Sequence, residues 1–233
     1  MKKHKLKNIP KHIGLIIDGN GRWAQRKGLD RSLGHKAGID ALKDVVKEAY
    51  DLGIEVVSIY GFSSENWNRP QDEVDYLFNL FYEYIKESIK EYDDQNIRLN
   101  IMGDYTAFPD YLKEEIEKAL KLTEKHNKFV VNLGLNYGSR PEILRAVNSI
   151  MQNHKGPVDK AVFESYLYTT GLPDPDFIIR TSGEQRLSNF MLWQNAYAEL
   201  YFPKTYWPDF NVRKLHKALK VYEKRNRRFG AIK

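Results

Sequence analysis

The sequence predicts one α/β domain over residues 1–233, with a central, mostly parallel sheet of about six strands flanked by helices. Its 233 residues and 42% hydrophobic content are enough for one large core. Short apolar runs alternate with longer amphipathic segments, which is the pattern of strands connected by helices. Proline and glycine are scattered, so no linker divides the chain. Residues 1–12 and 224–233 are predicted to be a basic N-terminal segment and a basic C-terminal tail.

Six short apolar runs are candidate strands: 13–17, 54–60, 97–102, 129–135, 177–180 and 198–202. Six longer segments have the spacing of amphipathic helices: 35–52, 71–92, 109–126, 140–153, 159–170 and 212–227. The helix predicted over 71–92 has the clearest apolar stripe, formed by Val74, Leu77, Phe78, Phe81, Ile85 and Ile89. We interpret this stripe as core packing. The alternative interpretation makes it one wall of an apolar tunnel, because the segment is rich in Phe and Tyr.

The composition limits the classes of function. The net charge is +6, from 37 basic and 31 acidic residues, and the excess lies at 2–7 and 224–228. These ends are either solvated tails or contacts for an anionic partner such as phosphate or an acidic lipid surface. The absence of cysteine excludes disulfides, thiolate metal sites and a cysteine nucleophile. No signal peptide or membrane span is recognisable, which predicts a cytoplasmic protein.

The first candidate site is the stretch LIIDGNGRW at 15–23, where an acid directly follows an apolar run. Asp18 is predicted to lie at the carboxyl end of a strand, where open α/β sheets bind ligands. Gly19 and Gly21 allow backbone N–H groups to approach a phosphate closely. Charged side chains for the rim follow at Arg22, Arg26, Arg31 and His35. The alternative is a tight turn with an incidental acid.

A second polar cluster follows the next predicted strand. Its members are Ser63, Ser64, Glu65, Asn66, Trp67 and Arg69. An ordinary loop would be equally polar, so this run alone is a weak signal.

The third cluster lies in 178–202. Arg180, Arg186 and Ser188 form a plausible diphosphate clamp, since guanidinium groups pair bidentately with phosphate. Glu199 lies in an apolar run, where an unpaired carboxylate is costly, so it needs an arginine or a metal ion as its partner. Carboxylates and phosphates together indicate Mg²⁺, and the residues alone therefore predict Mg²⁺-dependent chemistry on phosphorylated substrates.

These stretches, in this order, resemble the cis-prenyltransferase family in its bacterial undecaprenyl diphosphate synthase branch. The resemblance covers about residues 13–230. The matching stretches are DGNGRWA (18–24), GHKAG (34–38), FSSENWNRP (62–70), LNYGSRPEI (135–143), GLPDPDFIIRTSGEQRLSNFMLWQNAYAELYF (171–202) and WPDF (207–210).

The resemblance implies roles for individual residues. Asp18 matches the aspartate that handles Mg²⁺ and the diphosphates, and Glu199 matches a second metal ligand. The implied allylic diphosphate site consists of Gly19, Asn20, Gly21, Arg22, Trp23, Arg31 and His35. The implied isopentenyl diphosphate site consists of Arg180, Arg186 and Ser188. A mobile loop of the family matches Ser63, Glu65, Asn66, Trp67 and Arg69, with Asn66 among the catalytic residues.

The implied reaction condenses isopentenyl diphosphate sequentially onto an allylic diphosphate, usually farnesyl diphosphate, with Mg²⁺ as the cofactor. The implied product is a long-chain polyprenyl diphosphate, undecaprenyl diphosphate, which is a lipid carrier for cell-wall synthesis. Either Asn20 or the released diphosphate accepts or relays the proton that is lost. The resemblance also implies a homodimer in which the RFG stretch at 228–230 reaches the partner's diphosphate, with peripheral contact to the inner face of the membrane and no nucleic-acid partner.

The chain departs from the family pattern at three places. Gly61 stands where many relatives have Ala, Ser139 stands where they usually have Gly, and the segment 151–160 is shorter than in typical relatives. None of these is a matched catalytic residue. A change of tunnel width at Gly61 would alter the length of the product.

Other classes of protein fit the sequence less well. A phosphotransferase of the haloacid dehalogenase type needs Asp-x-Asp, and position 20 is Asn. The all-helical trans-prenyltransferases need Asp-Asp-x-x-Asp, and Asp93-Asp94 is followed by Gln-Asn-Ile. A catalytically silent partner subunit would lack the matched aspartate or arginines, which this chain has. Nucleic-acid binding rests on the basic ends alone, without a recognisable motif.

Overall fold

The computed structural model describes residues 6–225 and contains the predicted α/β architecture. Six strands form one parallel sheet with the order β3-β4-β2-β1-β5-β6. The strands are β1 (His12–Ile16), β2 (Val56–Ser63), β3 (Ile97–Met102), β4 (Phe129–Tyr137), β5 (Phe177–Arg180) and β6 (Glu199–Tyr201). The helices are α1 (Asn20–Arg26), α2 (Arg31–Asp51), α3 (Gln71–Asp94), α4 (Asp110–Thr123), α5 (Ser139–Asn153), α6 (Lys160–Ser165) and α7 (Val212–Glu223).

The chain divides into two compact units, and the prediction of a single domain over 1–233 stays a prediction. The first unit contains the described residues up to Val57, Asp174–Gln185 and the described residues from Gln194 onward. The second contains Ser58–Pro173 and Arg186–Trp193.

In the first unit, the register of the strands brings Arg180 beside the end of β1, where Asp18 follows. Strand β1 pairs in parallel with β5, with Ile13 opposite Phe177 and Ile16 opposite Arg180. Strand β6 continues this sheet, with Glu199 opposite Phe177. The carboxyl ends of β1 and β5 therefore coincide, whereas Glu199 begins its strand at the amino end of β5.

Helices α1 and α2 of the first unit approach each other very closely. A Cβ atom at Gly34 of α2 would overlap the backbone carbonyl oxygen of Asn20, and one at Gly38 would overlap the Asn20 side chain. The indole Nε1 of Trp207 donates to the carbonyl oxygen of Gly38 at 2.8 Å, and this tryptophan is buried. Glycine in the GHKAG stretch therefore lets α1 pack against α2.

In the second unit, α3 buries the stripe that the sequence predicts. Val74, Leu77, Phe78, Phe81, Ile85 and Ile89 are all buried. The Phe78 ring lies 4.6 Å from Phe108 and 5.5 Å from Phe62, between ring centroids. The core-packing interpretation is confirmed, and the apolar tunnel stays a prediction.

Several element boundaries differ from the predicted ones. Helix α1 was not predicted, because its seven residues are too few for a periodic stripe. Helix α6 ends at Ser165 rather than near 170, in a region of turns that continues to Gly171 at φ 78°. Helix α7 ends at Glu223 rather than 227. Two 3₁₀ helices, Ser64–Asn68 and Trp207–Asp209, also lie outside the predicted elements.

Candidate active site

Asp18 lies just beyond the carboxyl end of β1 and is held between two guanidinium groups. Its Oδ1 accepts a hydrogen bond from Arg22 Nη2 at 2.9 Å, and its Oδ2 accepts one from Arg180 Nη2 at 3.0 Å. The Asp18 carbonyl oxygen accepts from the Thr181 hydroxyl at 2.6 Å and from the Trp207 N–H at 3.1 Å. Both the backbone and the carboxylate of this residue are therefore fixed.

The two arginines beside Asp18 favour the ionised form of its carboxylate. Burial by itself raises the pKa of Asp18, but the hydrogen bonds and charges of Arg180 and Arg22 outweigh it, so the pKa is lowered from 3.8. The Arg180 side chain is only 6% exposed, whereas that of Arg22 is 40% exposed. Arg180 is thus a buried cation, whereas the guanidinium of Arg22 is accessible to a ligand.

Arg22 makes three further contacts within the first unit. Its Nη2 donates to Ser182 Oγ at 2.6 Å, its Nη1 donates to Glu184 Oε1 at 2.8 Å, and its guanidinium lies 5.7 Å from the Tyr206 ring centroid. Ser182, Glu184 and Tyr206 are not predicted from the sequence as site residues. The available signal is an acid and a hydroxyl within four residues of Arg180, which is too common to select them.

The two glycines of the stretch lie where a side chain would not fit. Gly19 has φ 105°, and a Cβ atom there would lie 2.7 Å from Cδ1 of Tyr206. A Cβ atom at Gly21 would lie 2.8 Å from the guanidinium carbon of Arg31. The structure therefore brings the predicted residue Arg31 to the backbone of α1, and His35 lies one helical turn further along α2.

Asn20 and Trp23 are engaged in contacts within the first unit. The Asn20 Nδ2 donates to the Ile17 carbonyl oxygen at 3.2 Å, and its amide contacts the backbone of Gly38. The Trp23 Nε1 donates to Asp209 Oδ1 at 2.8 Å. Among the described residues the Asn20 Oδ1 is buried without a hydrogen-bond partner. The predicted roles of Asn20 and Trp23 toward substrate stay predictions.

Glu199 has the arginine partner that its apolar surroundings require. Its Oε2 accepts from Arg225 Nη1 at 2.7 Å. Because Glu199 is opposite Phe177 while Asp18 contacts Arg180, the two acids lie at opposite ends of β5. The structure of one chain thus does not bring Glu199 to Asp18, and the two-carboxylate metal site that the resemblance implies is not formed by these residues of a single chain.

The donor set around Asp18 nevertheless fits Mg²⁺ bound together with a substrate. No group of three or more His, Asp or Glu side chains that could hold a metal ion occurs among residues 6–225. Protein sites for Mg²⁺ commonly use one or two carboxylates and complete the coordination with phosphate oxygens and water. Asp18 would supply one such carboxylate.

An open groove of about 440 Å³ lies beside the Arg22 contacts in the first unit. It shares Ser182 and Tyr206 with the surroundings of Arg22. Its lining residues are Arg26, Ser182, Gly183, Lys204, Thr205, Tyr206, Asp209 and Lys214. Three cations against one acid make this groove positive, which suits an anionic ligand.

In the second unit, the predicted polar cluster forms the 3₁₀ helix Ser64–Asn68, which we call the 3₁₀ segment. Ser63 and Asn66 cap it reciprocally, and the Ser63 N–H donates to Asn66 Oδ1 at 3.1 Å. Trp67 Nε1 donates to Asn136 Oδ1 at 2.9 Å, and Arg69 pairs with Glu73 at 3.0 Å. The cluster is therefore an ordered cap and turn.

Arg186 and Ser188 lie on residues 186–193, which we call the 186–193 loop. Both residues are exposed. Ser188 has φ 48°, and its carbonyl oxygen accepts from the Tyr60 hydroxyl at 3.2 Å. A guanidinium and a hydroxyl two residues apart are thus presented on one loop of the second unit, while Arg180 belongs to the Asp18 cluster of the first.

Within the part of the chain that the structure describes, none of the helices has the length and hydropathy of a membrane-spanning segment.

Comparison with known proteins agrees with this architecture and these motifs. The family model described as "Putative undecaprenyl diphosphate synthase" matches residues 16–230. An isoprenyl transferase of Clostridium tetani is 46% identical over 97% of this chain and 91% of its own length. An isoprenyl transferase of Fusobacterium nucleatum is 47% identical over 97% of this chain and 98% of its own length.

Solved structures with the same fold are also similar in sequence. Lavandulyl diphosphate synthase from Lavandula x intermedia, in complex with dimethylallyl diphosphate, has a TM-score of 0.91 and 35% identity over 96% of this chain and 99% of that chain. A probable undecaprenyl diphosphate synthase from Campylobacter jejuni has a TM-score of 0.81 and 31% identity over 96% of this chain and all of that chain. The chain therefore belongs to the undecaprenyl diphosphate synthase family of isoprenyl transferases.

Proposed function

We propose that this chain condenses isopentenyl diphosphate sequentially onto an allylic diphosphate, farnesyl diphosphate, and releases a long-chain polyprenyl diphosphate. The observation that supports this best is the Asp18 carboxylate at the carboxyl edge of β1, fixed between Arg22 and Arg180. An acid with two cations and a close-approach glycine is suited to a diphosphate. The similarity to isoprenyl transferases supports an isoprenoid diphosphate as this ligand.

The proposed reaction requires negative charge to be stabilised at the leaving group. The allylic carbon–oxygen bond breaks and diphosphate leaves with the bonding electrons, while a new carbon–carbon bond forms to isopentenyl diphosphate. Arg22 is half exposed and already oriented by Glu184 and Ser182, so it would meet this charge with little reorganisation. Mg²⁺, held through Asp18 and the diphosphate oxygens, would supply further neutralisation of that charge.

The adduct then loses a proton, and the electron pair of the broken carbon–hydrogen bond forms the new double bond. Asn20 is a poor proton acceptor, because a neutral amide is weakly basic and its Oδ1 is buried beside Gly38. We therefore favour the released diphosphate as the acceptor. Arg186 and Ser188 are proposed to bind isopentenyl diphosphate, since guanidinium and hydroxyl groups are phosphate donors on an exposed loop.

From family membership we also propose that the product is undecaprenyl diphosphate for cell-wall lipid carrier synthesis and that the growing chain lies in an apolar tunnel. We propose further that the protein is a homodimer in the cytoplasm with peripheral membrane contact. The RFG stretch at 228–230, proposed to reach across that dimer, lies outside the described residues.

The test is incubation with farnesyl diphosphate, radiolabelled isopentenyl diphosphate and Mg²⁺, followed by sizing of the products. We expect long polyprenyl products from the wild type and at least about a 100-fold lower rate from Asp18→Asn. Asp159→Asn is the matched control, because Asp159 caps α6 and asparagine caps equally well. Equal rates for Asp18→Asn and the wild type, or no chain elongation by the wild type, would contradict the proposal.

A further inference from the structure

We infer that Asn189 is a positioning residue, which fastens the 3₁₀ segment and the start of α5 to the 186–193 loop. The inference rests on the proposed function, because its consequence concerns Arg186 and Ser188 as the residues that bind isopentenyl diphosphate. Asn189 lies in none of the helices or strands, and it was not predicted from the sequence as a site residue.

Asn189 makes hydrogen bonds to two other elements of the second unit. Its Oδ1 accepts from the Arg140 N–H at 2.9 Å, and its carbonyl oxygen accepts from the Ser139 N–H at 2.8 Å. Its Nδ2 donates to Glu65 Oε1 at 3.2 Å. The first two bonds attach the loop to the first turn of α5, and the third attaches it to the 3₁₀ segment.

The partners determine which way the Asn189 amide is oriented. A backbone N–H can only donate, so the atom facing Arg140 must be the oxygen. An ionised carboxylate can only accept, so the atom facing Glu65 must be the nitrogen. Neither aspartate nor a hydrophobic residue would satisfy both partners, and asparagine is therefore matched to this position.

The backbone of the loop is held in a conformation that most residues avoid. Ser188, Asn189 and Met191 have φ values of 48°, 63° and 49°. Left-handed backbone is strained at a non-glycine residue, and asparagine tolerates it better than most. Such a run persists only where surrounding contacts impose it, and the bonds of Asn189 are such contacts.

Gly138 has no space for a side chain at the point where the 186–193 loop, the 3₁₀ segment and α5 meet. A Cβ atom at Gly138, just before α5, would lie 2.7 Å from both Asn189 Nδ2 and Ser64 Oγ. The amide of Asn189 and the 3₁₀ segment are therefore packed against the same point of the backbone. A shift of the 3₁₀ segment would therefore displace Asn189, and with it Ser188, its neighbour in the chain.

Hydrogen exchange of the protein without substrate tests the coupling. Asn189→Asp keeps an acceptor for Arg140 but places a second carboxylate beside Glu65. We expect amide exchange in the 3₁₀ segment and the 186–193 loop to become about tenfold faster, which corresponds to about 1.4 kcal/mol, because one hydrogen bond is lost and two carboxylates face each other. Adding Glu65→Gln restores a donor–acceptor pair with reversed polarity, and exchange in Asn189→Asp/Glu65→Gln should return to within about threefold of the wild type.

The matched control is Asn153→Asp, which changes an exposed asparagine of α5 whose Nδ2 donates to the Ser149 carbonyl oxygen at 2.9 Å. This variant should leave exchange in the 3₁₀ segment and the loop unchanged. Unchanged exchange in Asn189→Asp, or no recovery in the double variant, would overturn the inference.

Steady-state kinetics distinguish positioning from a general structural role. Asn189→Asp should raise KM for isopentenyl diphosphate by about tenfold, because Arg186 and Ser188 lose their fixed location, and leave KM for farnesyl diphosphate within about twofold. Equal increases in both constants would overturn the inference. If the wild type shows no prenyl transfer, the proposed function fails, and the exchange experiment still decides whether Asn189 couples the segments.

Discussion

Arg180 holds the carboxylate of Asp18 from within the sheet, with Nη2 3.0 Å from Oδ2 and only 6% of its own side chain exposed. A buried guanidinium is costly unless a negative charge faces it. The two residues therefore depend on each other for stability, and the carboxylate that is proposed to act on diphosphates is also the counter-charge of a strand residue.

The first prediction concerns the pH dependence of stability. The pKa of Asp18 is lowered from 3.8 in the folded protein, so the folded state favours the ionised form. Its contribution is fully present above pH 3.8 and is lost as the pH falls through the lower, folded value. We expect the wild type to exceed Asp18→Asn in free energy of unfolding by about 1–3 kcal/mol at pH 7, and this difference to shrink as the pH falls below about 4.

Urea unfolding from pH 3 to pH 7 measures this difference. Asp159→Asn, on the exposed cap of α6, controls for the general effect of removing a carboxylate. A difference between the wild type and Asp18→Asn that is the same at pH 3 and pH 7 would show that the ion pairs of Asp18 with Arg180 and Arg22 are not its source.

The second prediction concerns the contact between α1 and α2. Gly34→Ala places a methyl group on the backbone carbonyl oxygen of Asn20, and backbone cannot rotate away as a side chain can. We expect a loss of about 3 kcal/mol in the free energy of unfolding and a Tm lower by roughly 6–12 °C. Because α1 carries Arg22, the activity of the folded fraction should fall as well.

Calorimetry and activity per folded molecule check this expectation. Lys36→Ala changes an exposed residue of the same helix and should be nearly neutral. If Gly34→Ala were as stable and active as Lys36→Ala, the close contact of α1 with α2 would not exist.

Apolar patterning predicts most of the fold because burial dictates it. Strand β5 is predicted with its observed bounds, Phe177–Arg180, and the buried stripe of α3 follows its predicted period. Patterning misses α1 and the 3₁₀ segment, since both are short and are set by caps and glycine contacts rather than by apolar spacing. Their positions depend on which residues they meet in the folded chain.

The candidate site is predictable where a residue's position in a strand fixes its location. Asp18 and Arg180 follow from the ends of two neighbouring parallel strands. Glu184 and Asn189 could not be predicted, because their partners Arg22 and Glu65 are more than 100 residues away in the chain. For Glu199 the sequence left arginine or metal open, and only the structure shows Arg225 beside it.

The third prediction concerns Ser139, the first residue of α5. The Ser139 hydroxyl accepts from the Leu192 N–H at 3.0 Å, so this serine anchors the 186–193 loop to α5. Ser139→Gly should lower the free energy of unfolding by about 1–2 kcal/mol, from the lost hydrogen bond and the added freedom of the unfolded chain. Chemical denaturation measures this, and exchange of the Leu192 amide should become faster.

Ser149→Gly, within the same helix, controls for the entropic cost of glycine. It should lower stability without changing exchange at Leu192. Equal protection of that amide in Ser139→Gly and the wild type would show that the bond contributes nothing.

The fourth prediction concerns Gly61 of β2 and the length of the product. A Cβ atom at Gly61 would lie 3.2 Å from the Gly134 carbonyl oxygen, 3.2 Å from Cδ1 of Leu133 and 3.5 Å from Cδ2 of Leu135. A methyl group therefore fits only if the backbone of β4 and these leucines shift by a few tenths of an ångström. The entropy gained by replacing glycine offsets this crowding, and stability should change by less than about 1 kcal/mol. If the growing prenyl chain passes these leucines, Gly61→Ala narrows its path and shifts the products to shorter lengths at an unchanged initial rate.

The lengths of radiolabelled products from the wild type and Gly61→Ala are compared at equal turnover. Gly156→Ala is a control for reduced stability, because Gly156 has φ 122°, where alanine is strained, although the space around it is open. Gly156 also lies far from β2 in the chain. An unchanged product distribution in Gly61→Ala would place the path of the chain away from Leu133 and Leu135. A shift seen also in Gly156→Ala would mean that reduced stability, rather than a narrower path, shortens the products.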